Sequence, residues 1–66
     1  MRYEINTTGP NIYSLLNTKT GKYVVVNETM TVCSNVKWSI ETGGHGSSEC
    51  ADVARQIIAS EKELAQ

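Results

Sequence analysis

No stretch of this 66-residue chain approaches the run of about twenty apolar residues that a membrane-spanning helix needs. The opening segment, Met1-Arg2-Tyr3-Glu4-Ile5-Asn6, also lacks the apolar core of a secretory signal. The expectation is therefore a soluble, cytoplasmic protein with no membrane partner. In that setting the sequons at Asn6 and Asn27 read as turn chemistry, not as glycan acceptors. Surplus charge is equally scarce, at a formal net −1. Residues 1–27 are net positive (Arg2, Lys19 and Lys22 against Glu4), and residues 28–52 are net negative (Glu28, Glu41, Glu49 and Asp52 against Lys37). That balance provides no basic footprint for a duplex backbone, so direct DNA binding starts at a disadvantage.

Catalytic equipment is thin as well. There is one histidine, His45, set among glycines, and there are two cysteines, Cys33 and Cys50, with no C-x-x-C pair. No nucleophile, base and orienting acid stand at an interpretable spacing, and a chain of this length has little room for a dry pocket around them. The expectation is a non-enzyme with no catalytic residues. There is no internal repeat and no low-complexity tract.

What the sequence does contain is a pattern of short elements. Residues 1–11 read as an N-terminal strand and turn, with Tyr3 and Ile5 on one face and Thr7-Thr8-Gly9-Pro10-Asn11 as turn material. Residues 12–34 read as a β-meander. In it, Ile12 to Leu16 places Tyr13 and Leu15 on one face, and Tyr23 to Val26 is β-branched. Asn27-Glu28-Thr29 turns into a further strand from Met30 to Cys33. The polar run Asn17-Thr18-Lys19-Thr20-Gly21 predicts a type I turn closed by a glycine at positive φ, in a G1 bulge. Residues 35–47 read as a loop, with Lys37 to Ile40 as a short fourth strand or an ordered crossing that puts Trp38 and Ile40 on one face.

From 48 to 65 the apolar residues Cys50, Val53, Ala54, Ile57, Ile58, Leu64 and Ala65 recur at helical spacing. Ser47 or Ser48 supplies the cap, and Glu49 and Asp52 sit where the helix dipole favours negative charge. The predicted fold is one small α+β domain, a three- to four-stranded antiparallel meander packed against one C-terminal amphipathic helix.

The segment Tyr23-Val24-Val25-Val26, a turn, Thr31-Val32-Cys33-Ser34-Asn35, Trp38, a glycine-rich loop, and Cys50-Ala51-Asp52-Val53-Ala54 resembles the SWIM zinc-binding domain of Mutator-type transposases. The resemblance covers about half the chain, Tyr23 to Ala59. It implies a hairpin and helix joined by one zinc ion bound through a CxC and a CxH motif, in a module that binds DNA or protein. Two of the four ligand positions depart from that pattern: Asn35 stands in place of a cysteine and Asp52 in place of the histidine. The ligand set that could still close a tetrahedron is Cys33, His45, Cys50 and Asp52. A helix that already runs from Ser48 turns Asp52 about 200° away from Cys50, toward solvent. Three states of the cysteines stay open: free thiols packed as small apolar groups, a disulfide, or metal ligands.

Two functions follow from these readings. The first is a stand-alone inhibitor or adaptor of phage or mobile-element type, for example an anti-CRISPR acting in the host cytoplasm. It would occlude a partner's basic patch, one that normally receives nucleic acid, with Glu28, Glu41, Glu49 and Asp52. The alternative is a divergent SWIM-like zinc module that binds DNA. A third course is self-association through an uncovered sheet face.

Overall fold

The computed structural model describes residues 2–64, the side chains of Glu63 and Leu64 excepted. It contains three antiparallel strands in one sheet and two helices, an α+β chain. The strands are β1 (Tyr3–Gly9), β2 (Ile12–Asn17) and β3 (Lys22–Glu28), and the helices are α1 (Met30–Glu41) and α2 (Glu49–Leu64). No helix among the described residues is long and apolar enough to cross a membrane. The chain divides into two compact units, Met1–Ser34 and Asn35–Gln66.

In the first unit the strands run as a meander in the order β1-β2-β3. Pairing of Tyr3 with Asn17, Ile5 with Leu15, and Leu15 with Val25 brings the apolar side chains to one face. Tyr3, Leu15 and Val25 are buried there, as period-two alternation requires. Leu15 is fully buried and Tyr13 half-buried.

Both hairpins depend on residues that accept positive φ. Pro10 fixes the first corner of the β1–β2 turn, and Asn11, at φ 56°, takes the second. Strand β1 thus extends through Thr7, Thr8 and Gly9, which the sequence reading assigns to the turn. In the β2–β3 hairpin, Gly21 sits at φ +74° and donates its N–H to Asn17 O at 2.8 Å. The buried Asn17 carboxamide accepts the N–H groups of Lys19 at 2.9 Å and Thr20 at 3.3 Å. A buried asparagine at this position is therefore the staple of the turn.

The register shifts between Thr7 and Gly9 in the β1–β2 pairing, and twice in the β2–β3 pairing, between Tyr13 and Leu15 and between Leu15 and Leu16, the first of these at Ser14. Asn27 N–H donates to Ser14 Oγ at 3.0 Å, Ser14 Oγ meets Thr8 Oγ1 at 3.3 Å, and Thr8 Oγ1 donates to Asn27 Oδ1 at 3.2 Å. With Ser14 donating to Thr8, the three residues close a ring in which every donor has an acceptor. This ring is why a serine can be 1% exposed on a three-stranded sheet. Asn27, at φ 56°, takes part in the ring, and the ladder resumes beyond it where Glu28 pairs with Tyr13. The sequon asparagine is thus used as a bulge residue.

The structure corrects the reading of Met30 to Ile40. Met30–Cys33 is the first turn of α1 and not a strand, and Lys37 to Ile40 continues the same helix, so the stretch taken as a 35–47 loop is helical up to Glu41. Thr29 is the reason. Its Oγ1 accepts Val32 N–H at 3.2 Å and its carbonyl accepts Cys33 N–H at 3.1 Å, the bonds of an N-cap. Once helical, Cys33, Val36 and Ile40 fall on one side at spacings of three and four. Cys33 and Val36 are buried and Ile40 is half-buried. The segment that carries the zinc-module resemblance accordingly runs strand, helix, loop, helix.

The second helix starts where the sequence places it. Ser48 Oγ accepts Ala51 N–H at 3.3 Å, and Ser48 O accepts Ala51 and Asp52 N–H. Its buried stripe is centred on Ala51 and Ala54 with Cys50, Ile57 and Ile58 half-buried, and Val53 is left 40% exposed. The buried side is thus turned toward Ala51 relative to the expected stripe. Ala65 and the Leu64 side chain, both assigned to that stripe, lie outside the described residues.

Candidate contact surface

The second unit runs helix, loop, helix, and the loop is tied down by side chains of the two helices. Helix α1 ends in a Schellman motif, with Gly44 N–H reaching Ser39 O at 2.7 Å and Gly43 N–H reaching Ile40 O at 3.1 Å. The motif needs a left-handed residue after the cap, and Gly43 supplies it at φ +84° with open space where a Cβ would stand. Thr42 Oγ1 contacts the carbonyls of Trp38 and Ser39 at 3.0 and 3.1 Å.

Beyond this motif, side chains from both helices take the loop's carbonyls. Arg55 Nη1 donates to Gly44 O at 2.8 Å and to Gly46 O at 2.9 Å, while Nη2 pairs with the Asp52 carboxylate. Ser39 Oγ, buried in α1, donates to His45 O at 2.8 Å. A Cβ at Gly44 would lie 2.8 Å from Arg55 Cγ, so the arginine stem fits only because residue 44 is glycine. The glycine-rich loop is therefore clamped at three consecutive carbonyls, and His45 is exposed.

These bonds decide what the predicted site residues are free to do. Asp52 is exposed, as expected, but its carboxylate is engaged by Arg55. Glu41 and Glu49 are exposed at the end of α1 and the start of α2, and neither has an ion-pair partner among the described residues. Glu28 stands in the other unit at the end of β3. Burial holds the Cys33 thiol above its ordinary pKa, and the Glu28 carboxylate adds to the rise. The four acidic residues therefore differ in role: one is internally paired, one bears on a buried thiol, and two are open.

The proposed metal ligands fare similarly. Cys33 is buried in the first unit and the thiols of Cys33 and Cys50 are free, with Cys50 half-buried on α2. Among the described residues no group of three or more His, Cys, Asp and Glu side chains is arranged to hold a metal ion. Asp52, moreover, is already engaged by Arg55.

The strand geometry that would put Trp38 and Ile40 on one face does not hold in α1. In the helix they lie about 200° apart, as do Trp38 and Val36. Val36 is buried, Ile40 is half-buried, and Trp38, the chain's single tryptophan, is 58% exposed. Asn35, Glu41 and Thr42, at three and four residues' spacing, are its exposed neighbours on that face.

Comparisons with protein-family models, with curated proteins and with solved structures found no match to this chain. The surface chemistry of α1 and its loop is thus the basis for a functional reading.

Proposed function

We propose that this chain is a non-enzymatic protein-binding module, and that it works by laying the outward face of α1 on a partner and occluding the surface it covers. The observation that carries this reading is the exposure of Trp38. Leaving most of an indole ring in water forgoes on the order of 2 kcal/mol that burial would contribute. A domain this small has little stability to forgo. Tryptophan is also the side chain most enriched among residues that dominate binding energy at protein interfaces.

The clamped loop supports the same reading. It fixes the end of α1 beside Trp38 through the Schellman motif and the Arg55 bonds, so the contact face is ordered before a partner arrives. An inhibitor of phage or mobile-element type, directed at a protein that handles nucleic acid, is the finer form of this proposal. Its support is the pair of open carboxylates, Glu41 and Glu49, which suit a basic patch.

The test is affinity capture with the wild-type chain and with Trp38→Ala in parallel, after circular dichroism has shown that both melt alike. A stoichiometric protein retained by the wild type and lost from Trp38→Ala supports the reading. A partner held equally by both chains places the contact elsewhere and refutes it.

A further inference from the structure

Two residues on the outward face of α1 go against what helix and solvent favour at their positions. Trp38 exposes an apolar ring. One turn later Glu41, the last residue of the helix, places a carboxylate at the end where the aligned peptide dipoles are already negative. The last turn carries no basic residue to offset it. Glu41 has no cation within ion-pair distance among the described residues, whereas Asp52 is matched to Arg55. Locally unfavourable choices that sit side by side mark positions held for something other than stability.

Resting on the reading that this face is the contact surface, we infer that Trp38 and Glu41 together receive an arginine side chain of the partner protein. The guanidinium plane stacks on the indole while its N–H groups meet the Glu41 carboxylate. Positions i and i+3 bring the two side chains to adjacent places on one helix face, within reach of a single guanidinium. A planar cation that both stacks on an aromatic face and donates to a carboxylate is arginine, and an ammonium matches only part of that pair. Bringing positive charge to the end of α1 also removes the dipole conflict at Glu41, so binding relieves what the free chain bears.

Because Trp38 is the only tryptophan, its fluorescence reports this face alone. The probes are three amphipathic helical peptides with identical leucine faces and flanking arginine, lysine or glutamate. The arginine peptide is expected to give a saturable blue shift. Glu41→Gln should weaken it about tenfold without lowering the melting temperature, and the lysine peptide should bind several-fold more weakly. Calorimetry with Trp38→Phe and Trp38→Ala should show partial and near-complete loss. Equal binding of the arginine and glutamate peptides, indifference to Glu41→Gln, or a blue shift only with anionic vesicles would each overturn the inference. If the captured partner is lost with Trp38→Ala but the arginine peptide does not bind, the face stands and the arginine assignment fails.

Discussion

Replacing Arg55 by methionine keeps an apolar stem beside Gly44 and removes the guanidinium that holds the α1–α2 loop. The structure sets the size of the effect. Two hydrogen bonds are lost, to Gly44 O and Gly46 O at 2.8 and 2.9 Å. At about 0.5–1.5 kcal/mol net each, they total about 1–3 kcal/mol. The Asp52 ion pair is at the surface and adds little beyond this. The loss is local, so amide hydrogen exchange is the appropriate assay. Gly43 and Gly44 N–H groups close the Schellman motif, and freeing the loop carbonyls lets that turn open. At about 1.4 kcal/mol per tenfold, protection at Gly44 should fall by about 5- to 150-fold in Arg55→Met, while Leu15 and Val25 in the sheet keep theirs. Arg55→Lys should lie between, because an ammonium pairs with Asp52 but cannot fork across both carbonyls in the same way. Gly44 protection within twofold of wild type in Arg55→Met would refute the clamp.

Other perturbations test the remaining links. Ser14→Ala removes the hub of the Thr8–Ser14–Asn27 ring and leaves Asn27 N–H without its acceptor, and should cost about 1–3 kcal/mol in urea unfolding. Gly43→Ala should cost about 1 kcal/mol through its φ alone, and Gly43→Asn less, since Asn tolerates the left-handed region. Thr29→Ala should cost about 1 kcal/mol and reduce helix content from the α1 end, as loss of an N-cap does. Cys33, buried and with a thiol pKa raised by burial and Glu28, should alkylate far more slowly than half-buried Cys50 under native conditions. Its folded-state pKa lies above the ordinary thiol value, so the stability tied to the neutral thiol is fully present below that value. It is lost as pH rises from there through the folded-state pKa, which a urea series at alkaline pH would show.

The parts of the fold legible in the sequence were those governed by local chemistry. Asn17 to Gly21 announced its turn because glycine accepts the closing φ most readily, and the Ser47-Ser48 pair announced α2 because a hydroxyl at its start satisfies a first-turn amide. Helix α1 was not legible as a helix, for a physical reason. Thr31, Val32, Ser34 and Asn35 are weak helix formers, and Met30/Val32 alternate with Thr31/Cys33 as a strand would. The signals that outweigh this were present but spread over sixteen residues, 29–44. Thr29 is a cap, Cys33, Val36 and Ile40 form a stripe, and Gly43 and Gly44 form a terminator.

The site followed from that misreading. All four acidic residues are exposed, but Asp52 is committed to Arg55, and Arg55 itself gave no sign in the sequence because its main partners are backbone carbonyls. Trp38 was noticed as a motif residue, yet its exposure depends on helical rather than strand geometry and so became visible only with α1.

The most direct test of the contact face is a nitrogen-15 chemical-shift map of the chain titrated with the arginine-bearing peptide. The account predicts perturbations at Asn35, Glu41, Thr42 and the Trp38 indole N–H, with Asn6, Leu16 and Tyr23 on the sheet unmoved. Shifts centred on the sheet, with the Trp38 indole unchanged at saturation, would contradict it.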